Sequence, residues 1–227
     1  MIRLHIVVEG QTEETLVNRV LSYHLGQYNI SVDARQVETS RKHARIYRGG
    51  FDRSRGYQRA RRDLALWMQE DQNADAYFTT MFDLYALPTD FPDYDTSTRC
   101  ATPYERVATL EQALEREVGH PRFIAYIQLH EFEALLLTDP AMFDWEFLRN
   151  ERAIQNLTQM AALFDTPELI NNDPGMAPSK RIIKEIPEYA GRKSSAGPVI
   201  AEKIGIPAIR ARCYHFDTWL KRLEALS

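Results

Sequence analysis

The chain opens with Ile2-Arg3-Leu4-His5-Ile6-Val7-Val8, a run that reads as a buried strand. It feeds directly into Glu9-Gly10-Gln11-Thr12-Glu13, a carboxylate on a glycine turn followed by the start of a helix. In open α/β sheets, ligands gather outside the carboxyl ends of the strands, so Glu9 sits where such a fold does its chemistry. Thr12 to Leu25 reads as that helix, with Thr12 as N-cap, Glu13 and Glu14 in the first turn, and Leu16, Val17, Val20, Leu21 and Leu25 as a buried stripe.

The same alternation continues. Tyr28 to Val37 suits a second strand, and Arg41 to Arg62 reads as a basic loop around Gly49-Gly50 running into a helix that ends near Glu70. Tyr77 to Phe82 is β-branched and aromatic without clean alternation, the mark of a strand covered on both faces, and it stops at Asp83. A long loop from Tyr85 to Pro103 precedes a helix over Tyr104 to Val118 that Gly119 caps. Phe123 to Leu129 is another apolar strand, running into His130-Glu131-Phe132-Glu133. Beyond Pro140 the pattern is helical, ending in an amphipathic helix around Phe216 to Leu226.

Strands alternating with helices predict an α/β fold: a mostly parallel central sheet with helices on both faces and a helical C-terminal extension. The expected division is a core over 1–140 and an extension over 141–227 packed on it. No apolar run approaches a membrane span and no signal peptide is evident, so a cytoplasmic protein is expected. Cys100 and Cys213 belong to no Cys-x-x-Cys pair and support neither a zinc site nor a disulfide. A net charge of −4 argues against indiscriminate coating of nucleic acid, which needs clustered positive charge.

Three apolar strands thus end in acid: Glu9, Asp83, and Glu131 with Glu133. On the rim of a parallel sheet these converge, and oxygen-only ligands suit the hard cations Mg²⁺ or Mn²⁺. Glu13 shares a helix face with Leu16, Val17 and Val20 and so points to the packed side. Plainer roles stand beside these: Glu13, Glu131 and Glu133 as first-turn helix acids, Asp83 as a turn initiator, and His130 as an orienting group.

Val8-Glu9-Gly10-Gln11-Thr12-Glu13 and the later strand ending in Asp83 resemble the Toprim catalytic domain of topoisomerases, primases and overcoming-lysogenization-defect (OLD) nucleases. With Phe82-Asp83-Leu84-Tyr85-Ala86-Leu87-Pro88, His130-Glu131-Phe132-Glu133-Ala134-Leu135-Leu136, Ala177-Pro178-Ser179-Lys180-Arg181 and Cys213-Tyr214-His215-Phe216, the chain resembles a bacterial Toprim-like domain family of unknown function often encoded beside an AAA or ABC-type ATPase. The resemblance implies a Toprim-like Rossmannoid core and metal-dependent cleavage of phosphodiester bonds in DNA or RNA. It also implies an effector role in an ATPase-partnered antiphage defence system. Glu9, Glu13, Asp83, Glu131 and Glu133 would hold Mg²⁺ or Mn²⁺. Glu9 and Asp83 would be catalytic, with Lys180 as the positive group near the phosphate. Toprim enzymes carry Asp-x-Asp where this chain has Asp83-Leu84-Tyr85, so Asp90 or Asp93 is the acid left to replace the second aspartate.

Arg41, Lys42, Arg45, Arg48, Arg53 and Arg55, interleaved with Tyr47, Phe51 and Tyr57, are a candidate nucleic-acid surface, as are Lys180 and Arg181. Pairing with nearby acids is the plainer role of such a run. A rival reading is a degenerate Toprim module that binds nucleic acid or an ATPase without cutting. A small-nucleotide phosphotransferase has less support, because no Walker-type glycine loop is present.

Overall fold

The computed structural model describes residues 1–42, 45–48, 51, 56–170 and 174–226. In chain order the elements are β1 (Ile2–Val8), α1 (Gln11–Leu16), α2 (Ser22–Gly26), β2 (Ile30–Gln36), β3 (Glu38–Lys42), β4 (Arg45–Arg48), α3 (Gly56–Glu70) and β5 (Ala76–Asp83). There follow α4 (Tyr94–Ser97), α5 (Pro103–Val118), β6 (Phe123–Ile124), β7 (Ile127–Gln128) and α6 (Glu133–Leu136). The C-terminal part contributes α7 (Glu151–Ala161), α8 (Pro178–Glu185), α9 (Lys193–Ile204), α10 (Ile206–Arg212) and α11 (Tyr214–Glu224).

A parallel sheet in the order β2-β1-β5-β6, with β7 pairing further along β5, gives the expected Rossmann-like α/β architecture. The crossover from β1 leads to β2 on one side, and the chain then returns to place β5 on the other. Strand order therefore reverses between β1 and β5, and the crevice beyond their carboxyl ends is the ligand position of such sheets. β1 is apolar throughout because both its faces are covered. Leu4, Ile6 and Val8 join a buried cluster with Leu16, Val20, Leu21, Ile200, Phe216 and Leu220, whereas Val7 packs on the opposite face with Tyr57, Leu64, Phe82 and Leu110. The first cluster unites the sheet with side chains from the C-terminal helices.

Several local expectations are corrected. Gly10, not Thr12, is the N-cap of α1: Glu13 Oε2 accepts from the Gly10 N–H at 3.0 Å, which starts the helix at Gln11. The stretch read as a basic loop contains an antiparallel ribbon, β3 with β4. The strand expected over Phe123 to Leu129 is interrupted between β6 and β7. There Thr80 Oγ1 takes the backbone's place, accepting from the Tyr126 N–H at 3.0 Å and donating to the Tyr126 carbonyl at 2.9 Å.

The C-terminal helix is fastened by polar contacts as well as packing. Trp219 stacks on Tyr126 at 4.1 Å and donates from Nε1 to Thr79 Oγ1 at 3.0 Å. Glu168, fully buried, accepts the Phe216 N–H on Oε1 at 2.9 Å and the His215 N–H and Tyr104 hydroxyl on Oε2 at 3.0 Å each. Among the described residues no helix is long and apolar enough to cross a membrane.

Candidate metal centre

Glu9 follows the last residue of β1, Asp83 ends β5, Glu131 lies between β7 and α6, Glu133 begins α6, and Glu13 is in the first turn of α1. All five carboxylates line one cavity of about 360 Å³, together with Gly10, Thr12, Tyr85, Ala86 and Lys193. The rim at which the strand order reverses is therefore walled by acid.

Fixed donors aim these acids. Asp83 Oδ1 accepts the Phe132 N–H at 3.0 Å, and Glu9 Oε2 accepts the Asp83 N–H at 3.4 Å. Glu131 Oε2 accepts the Ser179 N–H in the first turn of α8 at 2.9 Å. Glu133 Oε1 accepts the Tyr189 hydroxyl at 3.3 Å and pairs with Lys193 Nζ at 3.2 Å. His130 makes the bend that brings Glu131 back to the rim, with a left-handed φ of 61° and its carbonyl accepting the Tyr85 N–H at 3.2 Å.

Among the described residues one lysine, Lys193, lines the cavity with five carboxylates, and the electrostatics follow from that. Burial, then the charge of Glu13, pushes Glu9 up from 4.5 to about 8. Burial and the charge of Glu133 push Glu13 to about 7, against the Gly10 N–H and Lys193. Asp83 is raised well above the usual carboxylate range by burial and then by Glu13 and Glu9. Glu133 is raised by burial, with Lys193 acting against it. A cluster ionised under these conditions lacks positive charge.

The donor set fits a hard divalent cation: it is all oxygen, with no thiolate and no imidazole among the lining groups. Among the described residues no three His, Cys, Asp or Glu side chains converge tightly enough to cage a metal by themselves.

The structure brings together Glu9, Glu13, Asp83, Glu131 and Glu133, and leaves Lys180 apart. Lys180 is exposed and lines a separate groove of about 210 Å³ with Arg181, Lys184 and Met176. The lysine at the acids is Lys193, the first residue of α9. Neither Asp90 nor Asp93 replaces the second Toprim aspartate: Asp90 accepts the Tyr57 N–H at 3.3 Å, and Asp93 pairs with Arg116 at 2.7 Å. Tyr85 itself occupies the cavity wall. Arg41, Lys42, Arg45 and Arg48 lie on β3 and β4, described here by their backbone, while Arg53 and Arg55 lie outside the described residues. Arg181 donates to the Met176 carbonyl at 2.8 Å, Arg35 on β2 pairs with Glu70, and Arg61 in α3 pairs with Glu117.

The chain belongs to the family described as Domain of unknown function (DUF4276), whose profile matches residues 8–224. No curated protein matches it. Among solved structures it is similar to the C-terminal region of the Xanthomonas campestris pv. campestris OLD protein. The alignment covers 98% of this chain and 97% of that one at 15% identity and a TM-score of 0.33, a level that carries no argument about activity.

Proposed function

We propose that the acidic cavity binds Mg²⁺ or Mn²⁺ and hydrolyses phosphodiester bonds in DNA or RNA. The observation that carries this reading is the meeting of five carboxylates, drawn from strand ends and helix starts, at the reversal of strand order, with Lys193 the one lysine there among the described residues. A bound cation would polarise a phosphate oxygen and lower the pKa of a water at neutral pH. Glu9 and Asp83, at the ends of adjacent strands, would hold it, and Glu13 would complete that side. Glu131 and Glu133 offer a second position. Raised carboxyl groups at Glu9, Glu13 and Asp83 would release protons as the cation enters. Lys193, already at the cavity edge on Glu133, would place positive charge beside a phosphate oxygen, the role that the sequence resemblance gave to Lys180.

The test is Glu9→Gln, which preserves shape and removes charge. Calorimetric titration should show Mn²⁺ binding by the wild type and its loss in the variant. Plasmid or RNA cleavage should fall by ~100-fold or more. Unchanged metal-dependent cleavage in Glu9→Gln would overturn the assignment. Tyr85 on the cavity wall favours one second reading, a non-cutting module. Mn²⁺ binding without cleavage, even with an AAA or ABC-type ATPase partner supplied, would select it. The partnered defence role belongs to the same proposal and is checked by co-purification with that ATPase.

A further inference from the structure

A second cavity of about 380 Å³ adjoins the acidic one and shares Glu9, Tyr85 and Ala86 with it. Its remaining lining is Phe51, Leu87, Thr89 and Tyr94, so among the described residues Glu9 is its one acid and three aromatic rings border it, although polar atoms make up most of the exposed wall. The rings are held in place. Phe51 packs edge-on against Phe82 at 5.0 Å, and the Arg106 guanidinium lies 5.8 Å from the Tyr94 ring centroid.

We propose that this pocket receives an unpaired nucleobase beside the phosphate being cleaved, so that the substrate is single-stranded nucleic acid or an unpaired segment of a longer one. The inference rests on the reading of the acidic cavity as a phosphodiester site. A phosphate drawn to those acids through a cation carries a sugar and a base with it, and the space next to Glu9 is the aromatic pocket. The rings of Phe51, Tyr85 and Tyr94 on its wall suit stacking, which every base offers and which carries little sequence preference. The pocket's volume lies at the low end of small-ligand sites, enough for one nucleoside. A base within a duplex reaches such a pocket only after unpairing and leaving its stack.

The test is fluorescence anisotropy on the full chain in calcium, with fluorescein-labelled oligo-dT and oligo-U of about 15 nucleotides and a hairpin duplex of similar length. Wild type should bind the single strands about tenfold tighter than the duplex or better. Phe51→Ala and Tyr94→Leu should each weaken single-strand binding about tenfold and leave duplex binding unchanged, while Tyr94→Phe, which keeps the ring, should retain it. Equal affinity for strand and duplex, no binding of either, or unchanged binding in both ring-removing variants would overturn the inference. A parallel Mn²⁺ titration separates the two ideas. Metal binding without strand preference overturns the pocket alone, and strand preference without metal binding supports the pocket while overturning the metal reading.

Discussion

Glu168, fully buried, and Glu9, half-buried on the cavity wall, both withdraw a carboxylate from bulk water, with opposite provision for its charge. Glu168 has a fixed donor for each oxygen, two of them backbone N–H groups at the start of α11, so the acid serves as that helix's anchor. Glu9 has the Asp83 N–H at 3.4 Å and stands among Glu13, Asp83, Glu131 and Glu133. What separates them is donor supply: the satisfied carboxylate of Glu168 holds the fold, whereas on the proposed reading the undersupplied group around Glu9 would take a cation.

The largest expected effect falls on the satisfied side. Glu168→Ala would strand two N–H groups and the Tyr104 hydroxyl, for a loss of ~3 kcal/mol or more in urea unfolding. A loss below ~1 kcal/mol would break the comparison. Next is the pH response of the metal-free protein. Glu9 ionises near 4.5 in the unfolded chain and at about 8 in the fold, so its burial costs nothing below 4.5 and an increasing amount as pH rises toward 8. Glu13, raised to about 7, acts in the same direction. Thermal midpoints should fall from pH 5.5 to pH 8 in chelator and recover at pH 8 with Mn²⁺, and Glu9→Gln should flatten that slope. A midpoint that rises over this range would contradict the picture of an undersupplied cluster.

The smallest effect sharpens the contrast by moving only the cavity. A Cβ at Gly197 would lie 2.9 Å from Phe132 Cε1 and 3.1 Å from the Tyr189 hydroxyl. Gly197→Ala should thus cost ~1–3 kcal/mol by overpacking. It should also weaken Mn²⁺ affinity, because Phe132 and Tyr189 carry the donors to Asp83 and Glu133. Equal Mn²⁺ affinity in the two proteins would show that α9 does not set the cavity's geometry.

The acids at strand ends were legible because an apolar run followed by a carboxylate is a local signal, and Glu13 was legible because helical spacing fixed its face. Lys193 carried no such signal. It meets Glu133 only through the packing of α9 against α1 and α6, a contact between distant segments. Glu168 was equally silent, since one glutamate after a proline says nothing of the helix end it will cap. The β3–β4 ribbon was missed because its arginine density masked the strand-forming Thr39, Ile46 and Tyr47. The break at Tyr126 was missed because it depends on the Thr80 hydroxyl across the sheet.

The Ser179 N–H on Glu131 and Lys193 on Glu133 have a consequence for how such a protein can be inherited. The acids come from the strands of the first 140 residues, but the groups that steady two of them come from the stretch after it. A recombination event that carried the first segment into a new gene would deliver the ligands with their counter-groups missing. On the proposed reading the centre would be complete only with both segments, and the family profile spans both, over residues 8–224.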